Sequence, residues 1–291
     1  MRNIDGNTRL CGLIGNPVAH SVSPAIHNTL AELLNDNIVY STFCVEPNRV
    51  DQAVKGAYAL GVLGLNVTVP YKSDVIPYLV EMDPLAKRIG ASNTLVRVDG
   101  GFKGYNTDMQ GLYRAMREDG VDIADEHILI IGAGGVARAV AMMSATYCAA
   151  SITILNRTLD KAQKIKEELE TLFPNVKISV FTLQDFNRLP ENDYVAIQAT
   201  NVGMHPNTDE VVIYNVEFYD KIKTAYDLIF NPLTTKFMRL AKNAGIRSYN
   251  GLKMLLYQGI IAYELWNECK VPDDAIQKAY QKMKEAMGIN E

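Results

Sequence analysis

Gly132-Ala133-Gly134-Gly135-Val136-Ala137 follows an apolar run, Ile128 to Ile131, and opens a helical pattern. Glycines at this spacing permit a tight turn and let the backbone approach a pyrophosphate, which the free amides of a helix N-terminus attract. At the end of the next predicted strand, Ile152 to Leu155, an NAD site usually carries a carboxylate that accepts both ribose hydroxyls. Here the chain reads Asn156-Arg157-Thr158, with Lys161 one turn further on. Arg157 can lie over an adenine and meet a 2′-phosphate, Thr158 can donate a hydroxyl, and Lys161 adds charge, which together favour NADP. The alternative is that Arg157 and Lys161 are ordinary surface cations, although cations at a helix start work against the dipole. Asp160 keeps NAD open as a cofactor.

Four polar clusters interrupt the apolar pattern of the first third of the chain, each at the end of a predicted strand. They are Gly15-Asn16-Pro17-Val18-Ala19-His20-Ser21-Val22-Ser23-Pro24, Asn66-Val67-Thr68-Val69-Pro70-Tyr71-Lys72, Gly90-Ala91-Ser92-Asn93-Thr94 and Asn106-Thr107-Asp108. In an open α/β sheet such ends form the ligand crevice. Taken singly, each has a bland reading. Asn66, Asn93 and Asn106 are also good turn formers, Ser23 before Pro24 predicts a helix cap, and Lys72 alone reads as a solvated lysine at a helix start. His20 beside Ser21 could donate a proton, but lone histidines are more often structural.

The elements that must position these residues are legible as alternating runs. Strands are predicted at Leu10 to Ile14, Ile38 to Val45 and Leu63 to Val67, with helices from Pro24 and over Val50 to Leu60, which is the order of βαβ units on a mainly parallel sheet. Thr94 to Val98 and Phe102 to Tyr105 flank Asp99-Gly100-Gly101 as a hairpin, and Asp108 to Glu118 is helical. A second series begins at His127. Its strands are Ile128 to Ile131, Ile152 to Leu155, Val176 to Phe181, Tyr194 to Ala199, Thr224 to Phe230 and Ile246 to Tyr249, with helices through Tyr147 and over Lys161 to Leu172. Six strands of this kind make a doubly wound Rossmann domain. The final helix carries an apolar stripe of Ile276, Tyr280, Met283 and Met287, which predicts that the tail packs back on the first domain. The expected architecture is therefore α/β, with a substrate domain of residues 1–107 and 250–291 and a dinucleotide domain, 108–249, inserted in it.

Composition narrows the class further. With 29 basic and 33 acidic residues and a net charge of −4, there is no basic block to track a phosphate backbone, so nucleic acid is not an expected partner. The four cysteines are far apart and the histidines lack ligand spacing, which excludes structural zinc and makes a disulfide framework improbable. The polar N-terminus has no apolar signal core, making a cytoplasmic setting the default expectation. The uncharged stretch from Ala139 to Asn156 reads as a buried helix then a strand, not a membrane span. Monomer and homodimer both remain open.

These polar clusters, with Gly132 to Gly135, Asn156-Arg157-Thr158, Asp227-Leu228-Ile229-Phe230-Asn231-Pro232 and the run from Asn250 to Gly259, closely resemble the shikimate dehydrogenase family from about Leu13 to Trp266. The resemblance implies reversible NADPH reduction of 3-dehydroshikimate to shikimate in aromatic amino acid biosynthesis. It implies that Ser21 and Ser23, helped by Tyr226, hold the substrate carboxylate. Asn66, Thr68, Asn93, Asp108 and Gln258 would bind ring hydroxyls, with Lys72 and Asp108 as the catalytic pair. Gly132, Ala133, Gly134, Gly135, Val136, Asn156, Arg157, Thr158, Lys161, Thr200 and Leu228 would hold the cofactor, whose nicotinamide end Gly203, Met204, Gly251 and Met254 would line. Lys161 stands where the family often has arginine, Gln198 where asparagine is commoner, and Ala137 where serine is common. The rival readings are a quinate/shikimate dehydrogenase using NAD or NADP and a non-catalytic dinucleotide-binding regulator; an intact Lys72 and Asp108 argue against the regulator.

Overall fold

Arg9–Gly15 forms the first strand, β1, and five of its seven residues are buried, as expected for a strand covered on both faces. The computed structural model describes residues 4–289. Its contacts divide the chain into two compact units, one formed by the residues up to Gly111 together with those from Leu255, the other by Leu112–Met254. After β1 the first unit runs through α1 (Ser23–Leu33), β2 (Ile38–Cys44), α2 (Val50–Ala59), β3 (Gly64–Val67), β4 (Glu81–Met82), α3 (Pro84–Ile89), β5 (Thr94–Val98) and β6 (Gly101–Tyr105). Helix α4 (Thr107–Glu118) carries the chain across. The second unit holds β7 (His127–Ile131), α5 (Gly135–Thr146), β8 (Ser151–Asn156), α6 (Leu159–Leu172), β9 (Lys177–Thr182), β10 (Tyr194–Gln198), β11 (Ile222–Asp227), α7 (Lys236–Asn243) and β12 (Arg247–Tyr249). Helix α8 (Leu252–Asn267) returns, and α9 (Asp273–Ala286) closes the chain. Both crossings lie inside helices, so no break in the helical period marks them in the sequence.

The first sheet has the order β2-β1-β3-β5-β6-β4. Pairing is parallel for β1–β2, β1–β3 and β4–β6, and antiparallel where the hairpin β5–β6 is joined to β3. Strand β4 has two residues, too few to leave a period in the sequence. This pattern has one consequence for chemistry. The C-terminal ends of β1, β3 and β6 and the N-terminal end of β5 meet on one edge, since Ile14 pairs with Val67, Asn66 with Thr94, and Thr94 with Tyr105. All four polar clusters of the sequence are therefore brought to that edge.

The tail belongs to this unit. Helix α9 packs on α1 through Ala275, Ile276, Ala279 and Met283, a face turned slightly from the expected stripe because Tyr280 and Met287 are only partly covered.

The second sheet is parallel throughout, with the order β12-β11-β10-β7-β8-β9 that reverses at the β7–β10 boundary. That reversal is the switch point at which doubly wound sheets take a ligand. Among the described residues no helix is long and apolar enough to cross a membrane, and the stretch from Ala139 to Asn156 is the buried second half of α5 followed by β8.

Two local expectations need correction. Ser23 does not cap α1: Val22 occupies that position and no side chain caps the helix, while the Ser21 Oγ accepts a hydrogen bond from the Ser23 amide at 3.2 Å. Proline at the second helical position lets the helix begin one residue earlier than the sequence reading. Lys72 does not start a helix either; it sits in the turns that follow β3.

Candidate active site and cofactor turn

Lys72 and Asp108 are 36 residues apart in sequence, yet the Lys72 Nζ donates to the Asp108 Oδ2 at 2.7 Å. Local pinning sets this geometry. The Ser92 amide donates to the Lys72 carbonyl at 2.8 Å, the Tyr71 hydroxyl donates to the Val45 carbonyl at 2.8 Å, and Asp108 lies in the first turn of α4, where the helix dipole favours its charge. Both side chains keep partial exposure, 33% for Lys72 and 19% for Asp108, so the pair is held but reachable.

Around it the polar residues of the edge are buried and bonded. The Tyr40 hydroxyl donates to the Asn66 Oδ1 at 2.8 Å, and the Asn66 Nδ2 donates to the Thr94 Oγ1 at 3.0 Å and to the Asn93 carbonyl at 3.3 Å. The Thr107 amide donates to the Asn93 Oδ1 at 2.7 Å, and the Met109 amide to the Asn106 Oδ1 at 3.2 Å, so two asparagines from outside the helix satisfy the first free amides of α4. Asn106 thus acts as a turn former and cap. Ser21 and Thr68 are half-buried, Ser23 is buried at 9% exposure, and His20 is exposed. Gln258, on α8, is also buried and turns its Nε2 back to the Leu255 carbonyl at 2.8 Å.

The second unit forms a cavity of about 300 Å³ at its switch point, lined by Gly132 to Val136, Asn156, Arg157, Thr158, Lys161 and the segment Ala199 to Asn201. Gly132 has φ +117°, and a Cβ there would lie 2.8 Å from the Thr200 side chain, so this turn accepts only glycine. Helix α5 begins at Gly135 with no side-chain cap, and Gly134, Gly135 and Val136 are exposed, leaving its first amides free for an anion. The Asn156 Nδ2 donates to the Thr158 carbonyl at 2.8 Å and fixes the turn that presents Arg157. Arg157 and Lys161 are exposed and have no ion-pair partner among the described residues. That is the state expected of cations kept for a ligand.

Family models match the chain in three consecutive stretches: the shikimate dehydrogenase substrate binding domain over residues 13–95, shikimate / quinate 5-dehydrogenase over 115–214, and the shikimate 5′-dehydrogenase C-terminal domain over 251–279. A shikimate dehydrogenase (NADP(+)) of Desulforamulus reducens is 40% identical over 282 residues, covering 96% of this chain and 97% of its own. The chain belongs to the shikimate dehydrogenase family. Among solved structures, the shikimate 5-dehydrogenase of Listeria monocytogenes in complex with shikimate and NAD superposes with a TM-score of 0.88 at 33% identity, covering 95% of this chain and 98% of that one. The Thermus thermophilus shikimate 5-dehydrogenase in complex with NADP(H) and shikimate gives a TM-score of 0.82 at 29% identity, covering 96% and 99%.

Not every residue inferred from resemblance to shikimate dehydrogenases is placed as expected. Tyr226 is fully buried in β11; its hydroxyl donates to the Asp119 Oδ2 at 3.1 Å, and Lys253 binds the other oxygen of that carboxylate at 2.6 Å. A residue inside a parallel strand covered on both faces presents no surface to a substrate, so Tyr226 is withdrawn from the carboxylate site. Gly203, Met204, Leu228, Gly251 and Met254 lie outside the cavity lining, in the segments that follow β10, β11 and β12. Gly251 has its own structural reason, since a Cβ there would stand 2.2 Å from the Leu228 carbonyl oxygen.

Two contributors were not assigned a role from the sequence. Tyr40 looks like any strand aromatic. Asp227 is fully buried and burial pushes its carboxyl up to about 6, while the Gln198 Nε2, the Ile229 amide and the Thr235 hydroxyl all donate to it. Gln198 in turn accepts from the Thr200 amide and donates to the Val202 carbonyl, so the residue that departs from the family pattern organises the loop beside the cavity.

Proposed function

We propose that this chain is an NADP-dependent shikimate dehydrogenase, reversibly reducing 3-dehydroshikimate to shikimate in aromatic amino acid biosynthesis in the cytoplasm. The observation that carries the reading is the partly exposed Lys72–Asp108 pair, with 2.7 Å between Nζ and Oδ2, on the sheet edge where the polar clusters converge. A regulator that only senses a dinucleotide has no use for such a pair. The free amides of α5 and the unpartnered Arg157 and Lys161 fit the pyrophosphate and 2′-phosphate of NADP, with Thr158 supplying a hydroxyl.

NADPH supplies a hydride when bound. The ketone oxygen of the substrate then gains negative charge, and Lys72 both stabilises that charge and donates the proton to it. Asp108 holds the ammonium through Oδ2 and offers Oδ1 to a ring hydroxyl. Thr68, Asn66, Asn93 and Gln258 meet the remaining hydroxyls, and Ser21 and Ser23 hold the carboxylate at the uncapped start of α1. Gly203, Met204, Leu228, Gly251 and Met254 border the nicotinamide.

The test is oxidation of shikimate and of quinate, each with NADP and with NAD. Shikimate with NADP is expected to be the fastest of the four. Faster turnover of quinate would move the chain to the quinate-preferring branch, and equal rates with both cofactors would remove the phosphate-reading role of Arg157.

A further inference from the structure

Hydrogen-bond directions on the sheet edge decide which way two amides face. A backbone amide can only donate, so the 2.7 Å contact from the Thr107 amide identifies the inward atom of Asn93 as its carbonyl oxygen. The hydroxyls agree. Thr94 and Thr107 share a hydrogen bond of 2.9 Å whose direction is free, and each also lies within reach of the Asn93 Oδ1, at 3.3 and 3.2 Å. Asn66 donates into the Thr94 Oγ1, so the chain of hydroxyls ends at the Asn93 Oδ1 in whichever direction it runs. The Asn93 Nδ2 has no partner among the described residues and is not a sealed atom. Asn66 is the reverse case: both hydrogens of its Nδ2 are taken, by Thr94 and by the Asn93 carbonyl, and its Oδ1 accepts from Tyr40 with one lone pair left over.

We infer that Thr107 is a positioning residue that, through its amide and its hydroxyl and together with Thr94, sets the hydrogen-bond polarity of the substrate site, holding Asn93 so that it meets a substrate hydroxyl as donor while Asn66 can meet one only as acceptor. This rests on the reading that places the substrate at Asn93. Thr107 is fully buried and adjoins Asp108, and Ser92, next to Asn93, is bonded to the Lys72 carbonyl, so the donor amide is tied through the backbone to both members of the catalytic pair. A substrate hydroxyl that meets Asn93 is given a donor there, and a ring bearing hydrogen in place of that hydroxyl would leave the donor unmatched.

The experiment compares Thr107→Val, which keeps the shape and removes the hydroxyl, with Thr107→Ser, Asn93→Asp and Asn93→Ala. It reads KM for shikimate, kcat, NADP affinity by fluorescence quenching and Tm. Thr107→Val, which keeps the Thr107 amide and leaves the Thr94 hydroxyl on the Asn93 Oδ1, is expected to raise KM for shikimate about two- to threefold, the low end for one neutral hydrogen bond, with a smaller effect on kcat and unchanged NADP affinity, and Thr107→Ser to restore it. Asn93→Asp, which keeps the inward acceptor and loses the outward donor, should weaken shikimate binding as much as Asn93→Ala; it also keeps the inference falsifiable where Thr107→Val does not fold. Wild-type KM in Thr107→Val beside a raised KM in Asn93→Ala, or wild-type affinity in Asn93→Asp, would overturn the inference. An unchanged KM in Asn93→Ala would overturn the placement of the substrate, and the inference with it.

Discussion

The glycine-rich turn of the second unit is made of backbone amides and exposed cations, whereas the sheet edge of the first unit is made of side chains locked into a buried hydrogen-bond network. A backbone-built site needs only a local run, Gly132 to Gly135 before α5, and works wherever that run folds. The sheet-edge site needs Lys72, Asn93 and Asp108, from three separate stretches, held by Tyr40, Asn66, Thr94 and Thr107, each of which is nearly or fully buried. Partly satisfied networks of this kind cost more than apolar cores, so the edge is expected to be the less tolerant of the two.

Lys72→Ala attacks the edge at its proposed proton donor. Loss of general acid catalysis should cut turnover about a hundredfold to ten-thousandfold, with shikimate affinity altered far less, in steady-state assays. Near-normal turnover would move the acid role to another residue, with His20→Ala as the control. On the cofactor turn, Arg157→Ala should weaken NADP binding about tenfold to 150-fold, the worth of a charge-assisted hydrogen bond of roughly 1.5–3 kcal/mol, and leave NAD binding little changed. Isothermal titration with both cofactors measures this, and equal losses would show that the guanidinium does not read the phosphate.

The smallest effect separates the units by pH. His27, beneath the edge network, stacks on Tyr40 at 4.2 Å and has no hydrogen bond on either ring nitrogen; burial pushes it down to about 3, against an opposing pull from nearby Asn66. Its stabilising preference for the neutral ring is full above the unfolded pKa near 6.5 and is lost as pH falls toward 3, about 2 kcal/mol between pH 7 and 5. Asp227 in the second unit has the opposite sign. With its carboxyl raised to about 6, its ionised form is the costly one, and protonation between pH 7 and 5 contributes about 1.4 kcal/mol of stability. Hydrogen exchange at the two pH values should show the first unit weakening relative to the second, a trend reduced in both His27→Phe and Asp227→Asn. Identical pH slopes in the wild type and in both variants would refute this account of the difference.

Much of this was readable before folding. The strand and helix series, the glycine turn and the Asn156-Arg157-Thr158 corner are short-range patterns, and period and turn chemistry reveal such patterns directly. Ser23 misled because serine before proline signals a cap, but proline is accepted at either of the first helical positions, and the structure uses the later one. Tyr226 misled because a motif read as a string says nothing about which of its members still lies inside the strand.

By itself, then, the order of residues determined two α/β series, a dinucleotide turn and a set of polar clusters, since each depends on neighbours within about a dozen positions. Only the tertiary structure decided that β5 enters antiparallel to β3, which turns its first residues toward the same edge as the ends of β1, β3 and β6. It also decided that Lys72 meets Asp108, that the Asn93 Oδ1 accepts from the Thr107 amide, and that Tyr226 is committed to Asp119. These are contacts between residues 14 to 107 positions apart. Their partners are chosen by strand register and burial, which no local run of sequence contains.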